Sequence, residues 1–187
     1  CIVDHSNDDN YRSLTKLSDR IHYIHTFNDG YGKGHNTGYE YCKKFIDSDY
    51  HVVINPDIYF EPDAIDALAL YMDNHHDVGQ VMPKVYYPNG DFQYLCKLLP
   101  TPTDIFLRQF APSSVREKND VRYAMKTANF EAEMDVPSLS GCFMFFRTSC
   151  FERVGGFDTR FFMHFEDIDI TRRIGEIART VYFPGAT

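Results

Sequence analysis

Positive charge is scarce in this sequence: 19 lysines and arginines stand against 27 aspartates and glutamates, a formal net charge of −8 with a pI near 5.4. That balance argues against a general binder of nucleic-acid backbone, whose affinity comes from basic side chains that release counterions. Any anionic ligand must be held locally, by backbone amides or by a bound cation. Long apolar runs are missing as well. The longest, CFMFF at Cys142 to Phe146, falls far short of the ~18 to 20 residues that a spanning helix needs. The five cysteines, Cys1, Cys42, Cys96, Cys142 and Cys150, contain no C-x-x-C pair and are odd in number, which disfavours a disulfide scaffold or a zinc ribbon and suits a reducing compartment. No leader peptide is visible, and the chain opens on CIVDHS as though already inside a strand. No G-x-S-x-G elbow occurs, so serine hydrolysis has no support.

What is present suffices for one α/β or α+β domain: 187 residues, 43% of them hydrophobic and 16% aromatic. CIV reads as the end of a buried strand, followed by the turn-rich DHSNDDN. After a weak helical stretch, RIHYIHTF alternates as a strand does, and NDGYGKGHNTG is a glycine loop running into a helix near His35 to Phe45. YHVVIN is expected as a central strand, Pro62 as the first position of a helix carrying Ile65, Leu68, Ala69 and Met72 on one face, and GQVMPKVYY as a further strand. Residues 92–137 read as an excursion from the core. LSGCFMFFR is a buried strand, and Ser149 to Glu152 has the spacing of a capping box, with Gly155 or Gly156 as the stop. A last helix, EDIDITRRIGEIA, leads to the strand TVYF. Strands alternating with helices predict an open α/β sheet with helices on both faces.

Ligands in such sheets gather beyond the carboxyl ends of strands. Asp4 and Ser6 stand at the first such end, where an Asx turn is the commoner use of the pair. Gly30, Gly32, Gly34 and Gly38 match neither the dinucleotide fingerprint nor a P-loop, and they serve either a close backbone approach or a flexible turn. Asn55-Pro56-Asp57 closes the strand HVVI, and a carboxylate there can bind a hard cation or remain solvated. The stretch MHFEDIDI at Met163 to Ile170 carries three acids. Acids suit the first turn of a helix. Asp169 has Arg172 and Arg173 at the helical offsets, but Glu166 and Asp167 find no cation there. Beside FFMHF, a carboxyl can be desolvated and its pKa raised toward the range of proton transfer, so these two acids are read as an active-site pair.

Taken in order, VDHSNDD, NDGYGKGHNTG, INPD, LSGCFMFFR and VGGFDTRFFMHFEDIDITRRI resemble the family-two glycosyltransferases, especially the bacterial rhamnosyltransferases of polysaccharide assembly. The resemblance spans nearly the whole chain. It implies a GT-A-like, mostly parallel twisted sheet of the Rossmann-like nucleotide-binding kind, with residues 1–91 as the nucleotide-sugar half, 92–137 as an acceptor-side excursion and 138–187 as the half with the acceptor and the base. Such relatives carry a further strand and helix before the position of Cys1 and a His-bearing segment after Thr187. It also implies an inverting transfer from a UDP- or dTDP-sugar to a saccharide or lipid-linked saccharide. In it Asp4, with Ser6, contacts the base, Gly32 and Asn36 lie along the nucleotide, and Ser140 and Gly141 line the sugar pocket. Asp57 holds Mn²⁺ or Mg²⁺, and Asn55 stands where many relatives carry an acid. Asp167 is the general base, with Glu166 beside it able to share the task. The expected location is the cytoplasm, at the inner face of the membrane; TDIFLRQF either touches that membrane or closes the core. The competing readings are a sugar-phosphate nucleotidyltransferase and a non-catalytic carbohydrate- or nucleotide-binding module.

Overall fold

The computed structural model describes residues 1–187. Its strands are β1 (Ile2–Asp4), β2 (Tyr23–His25), β3 (Tyr50–Ile54), β4 (Val78–Pro83), β5 (Met134–Asp135), β6 (Phe143–Arg147) and β7 (Arg179–Phe183). Its α-helices are α1 (Tyr31–Cys42), α2 (Ala64–Asn74), α3 (Pro102–Phe110), α4 (Ser113–Tyr123), α5 (Thr148–Arg153) and α6 (Glu166–Gly175), and a 3-10 helix spans Asn10–Leu17. β1 and β2 pair in parallel, while the other five strands form a sheet in the order β3-β6-β4-β7-β5.

β6 explains the sheet. Its residues alternate between faces, as a strand's must, and both faces are apolar. Phe143 and Phe145 join Leu68 and Met72 of α2 with Val78, Val81 and Val181. Met144 and Phe146 join Tyr39 of α1, Phe151 of α5 and Ile170 and Ile174 of α6. A strand covered on both sides reads as a continuous hydrophobic run, and each buried phenyl contributes roughly 1.5–3 kcal/mol. Helices therefore cover both faces, as expected. β6 runs antiparallel to both β3 and β4, so β3, β4 and β7 point one way and β6 and β5 the other. The sheet is consequently mixed, with β3 at its edge and β6 taking the inner place expected of β3.

The excursion contains α3, α4 and β5, and it is fastened by a third cluster in which Cys96, Phe130, Val136 and Leu139 pack on Met82 and Tyr182. A capping box does form in the chain, at Thr101 and Asp104 at the start of α3, each side chain meeting the other's backbone N–H. The one expected at Ser149–Glu152 does not form. α5 starts one residue earlier, and Glu152 is drawn instead to the Tyr39 hydroxyl at 2.8 Å and to Lys43.

Candidate active site

The segment before α6 is bent by two successive non-glycine residues in the left-handed region, His164 and Phe165, both at φ 72°. Such backbone costs energy and persists only where its surroundings hold it. Here the hold comes from α1. Gly30 (φ 101°) lies so close to Phe162 that a Cβ would stand 2.4 Å from the Phe162 carbonyl oxygen, and the Tyr31 N–H donates to that oxygen at 2.9 Å. Two residues on, a Cβ at Gly32 would meet the Phe157 Cβ at 2.7 Å. Asn36 completes the clasp: its amide donates to the Phe157 carbonyl at 2.8 Å and its oxygen accepts from the Phe157 N–H at 2.9 Å.

The glycine segment therefore makes a close approach to protein backbone and is no flexible turn. It is the first half of α1, which begins at Tyr31, four residues before the expected start, and its small residues let the helix press against the strand-to-helix connection 157–162. Gly32 and Asn36, expected along a nucleotide, both meet Phe157, Gly32 by close packing and Asn36 through both polar ends of its amide.

The bend delivers three acids to the first turn of α6, and each meets a different fate. Asp169 is paired with Arg173 at 2.6 Å. Glu166 is only 7% exposed, and its Oε2 has no hydrogen-bond partner. Burial pushes its carboxyl up, and the neighbouring Asp167 charge adds to that. Asp167 is half-buried; its Oδ1 accepts from the Ile168 N–H at 2.8 Å and its Oδ2 from the Gly141 N–H at 3.2 Å.

Gly141 links this acid to the end of β3. Its carbonyl accepts the Tyr31 hydroxyl at 2.7 Å, and the same hydroxyl lies 3.2 Å from the Asn55 Oδ1. A Cβ on Gly141 would stand 3.4 Å from the Asp167 Cβ and 3.5 Å from the Tyr31 hydroxyl, so the residue fills the space between them. Tyr31, Asn55, Gly141 and Asp167 thus form one connected set drawn from α1, β3, the approach to β6, and α6. Ser140 lines the cleft beside Asp167, its Oγ accepting from the Cys142 N–H at 3.4 Å.

Asp57 is exposed and makes no hydrogen bond or ion pair; its charge is felt at the Cys142 thiol, whose pKa burial raises first. The chain contains no group of three or more metal-ligating side chains. One free carboxylate with an amide oxygen two positions away nevertheless fits Mg²⁺ or Mn²⁺, which are held by one or two carboxylates with substrate phosphates completing the shell.

Asp4 takes the Asx-turn role. Its Oδ1 accepts from the Ser6 N–H at 2.9 Å and its Oδ2 from the Tyr23 hydroxyl at 2.7 Å, and the Ser6 N–H is the first cause holding its carboxyl below the usual range. Ser6 spends its own hydroxyl on the Asp8 carbonyl at 2.7 Å. These two residues stand at the end of β1, outside the connected set around Asp167.

Sequence reasoning passed over Tyr31, whose only signal was being the aromatic residue inside the glycine segment. It also passed over Lys97, Arg108 and Tyr123, which the excursion brings against Ser140 and Asp167. Of TDIFLRQF, Ile105, Phe106 and Phe110 are exposed and only Asp104 is buried, so the patch does not close the core.

Comparison with known proteins agrees with this architecture. The family model described as glycosyltransferase like family 2 matches residues 3–187. N-acetylglucosaminyl-diphospho-decaprenol L-rhamnosyltransferase of Mycobacterium tuberculosis is 32% identical over 144 residues, covering 74% of this chain and 45% of the relative. The chain thus spans about half the length of the curated relatives it matches. Among solved structures, S. aureus TarS residues 1–349 superposes with a TM-score of 0.59 at 16% identity, over 97% of this chain and 47% of that one. The Pyrobaculum calidifontis mannosyltransferase PcManGT, in complex with GDP-Man and Mn²⁺, superposes with a TM-score of 0.59 at 17% identity, over 97% and 44%. The fold is the GT-A fold.

Proposed function

The chain belongs to the glycosyltransferase-like family 2, and from that membership we propose that it catalyses inverting transfer of a sugar from a nucleotide diphosphate donor to an acceptor hydroxyl in cell-surface polysaccharide assembly. The observation that carries the reading is the Gly141 bridge, which joins Asp167 to Tyr31 and Asn55 across the cleft.

Asp167 takes the proton of the acceptor hydroxyl. That oxygen attacks the anomeric carbon from the face opposite the diphosphate, the bond to the diphosphate oxygen breaks, and configuration inverts in one displacement. Gly141 and Ile168 orient the carboxylate through their N–H groups, while Glu166, desolvated beside it, is able to share the proton. Asp57, with the Asn55 oxygen, would hold the Mn²⁺ or Mg²⁺ that neutralises charge on the departing diphosphate. In this reading residues 1–91 carry the donor, a UDP- or dTDP-sugar, with Asp4 and Ser6 toward the base, while 138–187 carry the sugar pocket and the base and 92–137 face the acceptor.

The acceptor we propose is a lipid-linked saccharide met at the cytoplasmic face of a membrane. Support comes from the diphospho-decaprenol acceptor named in the curated relative and from the exposed Ile105, Phe106 and Phe110 of α3, an apolar face suited to interfacial contact. No helix is long and apolar enough to cross a membrane.

A panel of nucleotide sugars with Mn²⁺ on the full-length protein tests the reading by following the leaving group. Release of nucleoside diphosphate supports glycosyl transfer. Release of pyrophosphate from a nucleoside triphosphate and a sugar phosphate would instead establish a nucleotidyltransferase, and binding without release a carbohydrate or nucleotide module.

A further inference from the structure

The cleft beside Asp167 is a recess of about 260 Å³ whose lining includes none of Asp4, Tyr31, Asn55 and Asp57. Lys97, Arg108 and Tyr123 line it together with Ser140, Glu166 and Asp167. Neither Lys97 nor Arg108 enters any ion pair. Arg122 is bound to Asp104, Arg173 to Asp169 and Arg160 to Asp158, whereas Arg116, Lys118 and Lys126 are as unpaired as Lys97 and Arg108 but line no part of the recess. Had Lys97 and Arg108 served to neutralise the acid pair, contacts of that kind would be present. Glu166, which lines the recess, is only 7% exposed and its Oε2 has no hydrogen-bond partner. Charge is also distributed unevenly along the chain. Lys97 to Lys126 holds six basic and three acidic residues, a net of +3 in a chain whose total is −8.

We propose that this recess is an acceptor subsite for a phosphate-bearing saccharide, in which Lys97 and Arg108 hold the phosphate or diphosphate while the hydroxyl to be glycosylated faces Asp167. The proposal rests on the glycosyl-transfer reading. Two cations without ion-pair partners in one recess with a carboxylate select a ligand that is anionic at one end and hydroxylated at the other. Lys and Arg bind phosphate oxygens by charge-assisted hydrogen bonds, and a neutral saccharide would leave both cations unanswered. Tyr123, whose pKa burial raises first, feels both the Arg108 and the Asp167 charge, as a residue spanning the recess would. The same hairpin presents Ile105, Phe106 and Phe110 to solvent, so a lipid attached to the phosphate has an apolar surface to follow outward.

A diphosphate could come from the acceptor or from the donor, and the test separates the two. Inorganic pyrophosphate is titrated calorimetrically into the full-length protein in EDTA, then geranyl diphosphate under the same conditions. Both are expected to bind without metal, geranyl diphosphate the more tightly. Lys97→Gln with Arg108→Gln should weaken both by tenfold or more, and Arg108→Gln alone, at an exposed position, by several-fold; Asp57→Ala should change neither. Undiminished binding to the double variant overturns the subsite, as does binding that appears only once Mn²⁺ replaces EDTA and then falls in Asp57→Ala, which would assign the phosphate to the donor side. A thermal melt matching the wild type excludes misfolding of the variants. Because the readout is binding, the result is independent of the leaving-group assay that tests the glycosyl-transfer reading itself.

Discussion

Asp4 at the end of β1 and Glu166 at the start of α6 are equally buried, at 7% exposure each, yet they finish in opposite states. Asp4 has a hydrogen-bond donor on each oxygen, and its carboxyl is held down. Glu166 has an oxygen with no donor, and its carboxyl is pushed up. Burial alone therefore does not decide how a carboxylate behaves; the number of donors aimed at it does. Donors on both oxygens fix Asp4 in its turn, while Glu166 keeps one oxygen without a partner. Asn36 likewise has both polar ends engaged by Phe157, whereas Asp57 makes no hydrogen bond or ion pair.

The strongest challenge to that contrast is Asp167→Asn. The amide keeps the size of the side chain but cannot accept a proton, so transfer should fall by roughly 10²–10⁴-fold, while calorimetry finds nucleotide affinity within about twofold of the wild type. Full turnover in this variant would move the base elsewhere.

Gly30→Ala attacks the clasp that positions both acids. With φ at 101° and the Phe162 carbonyl 2.4 Å from the new Cβ, the cost should be about 1–3 kcal/mol, read as a lower midpoint in urea, with turnover lost in parallel. An unchanged midpoint would mean that the connection 157–162 is not held by α1.

Asp57→Ala probes an exposed acid that makes no hydrogen bond or ion pair. Nucleotide-sugar affinity in Mn²⁺ should drop by about tenfold, roughly 1.4 kcal/mol, whereas in EDTA the variant and the wild type should bind alike. Equal affinity in both conditions would remove Asp57 from the metal.

Glu166→Gln gives the smallest effect and the sharpest view of the contrast. Removing a buried carboxylate that lacks a donor should stabilise the protein by about 1 kcal/mol near neutral pH. The folded-state pKa of Glu166 is raised, so its penalty applies fully above that pKa and disappears as pH falls to the unfolded value. The melting advantage of the variant should therefore shrink on acidification. Asp4 predicts the opposite sign: its carboxyl is depressed on folding, so Asp4→Asn should lose stability near neutrality, and its deficit should shrink only as pH falls through the depressed folded value. Parallel pH profiles for the two variants would sink the comparison.

Short-range pattern carried much of this protein. Short apolar runs placed β3, β6 and β7, and the pairing of Asp169 with Arg173 was readable because those residues sit four apart on one helix. Distinguishing Glu166 and Asp167 from Asp169 needed only the same offsets. Other features joined residues far apart in the chain and left no local trace. The purpose of the glycines depends on Phe157 and Phe162, more than a hundred positions away. The Ser149–Glu152 spacing was overruled by Tyr39 and Lys43. Tyr31, Lys97 and Arg108 acquired their places only when α1 and the excursion folded against Gly141 and α6. Periodicity and helical offset act through neighbouring residues and are written in any window of the chain, whereas the donors that a buried acid receives come from whichever backbone the completed packing brings within about 3 Å.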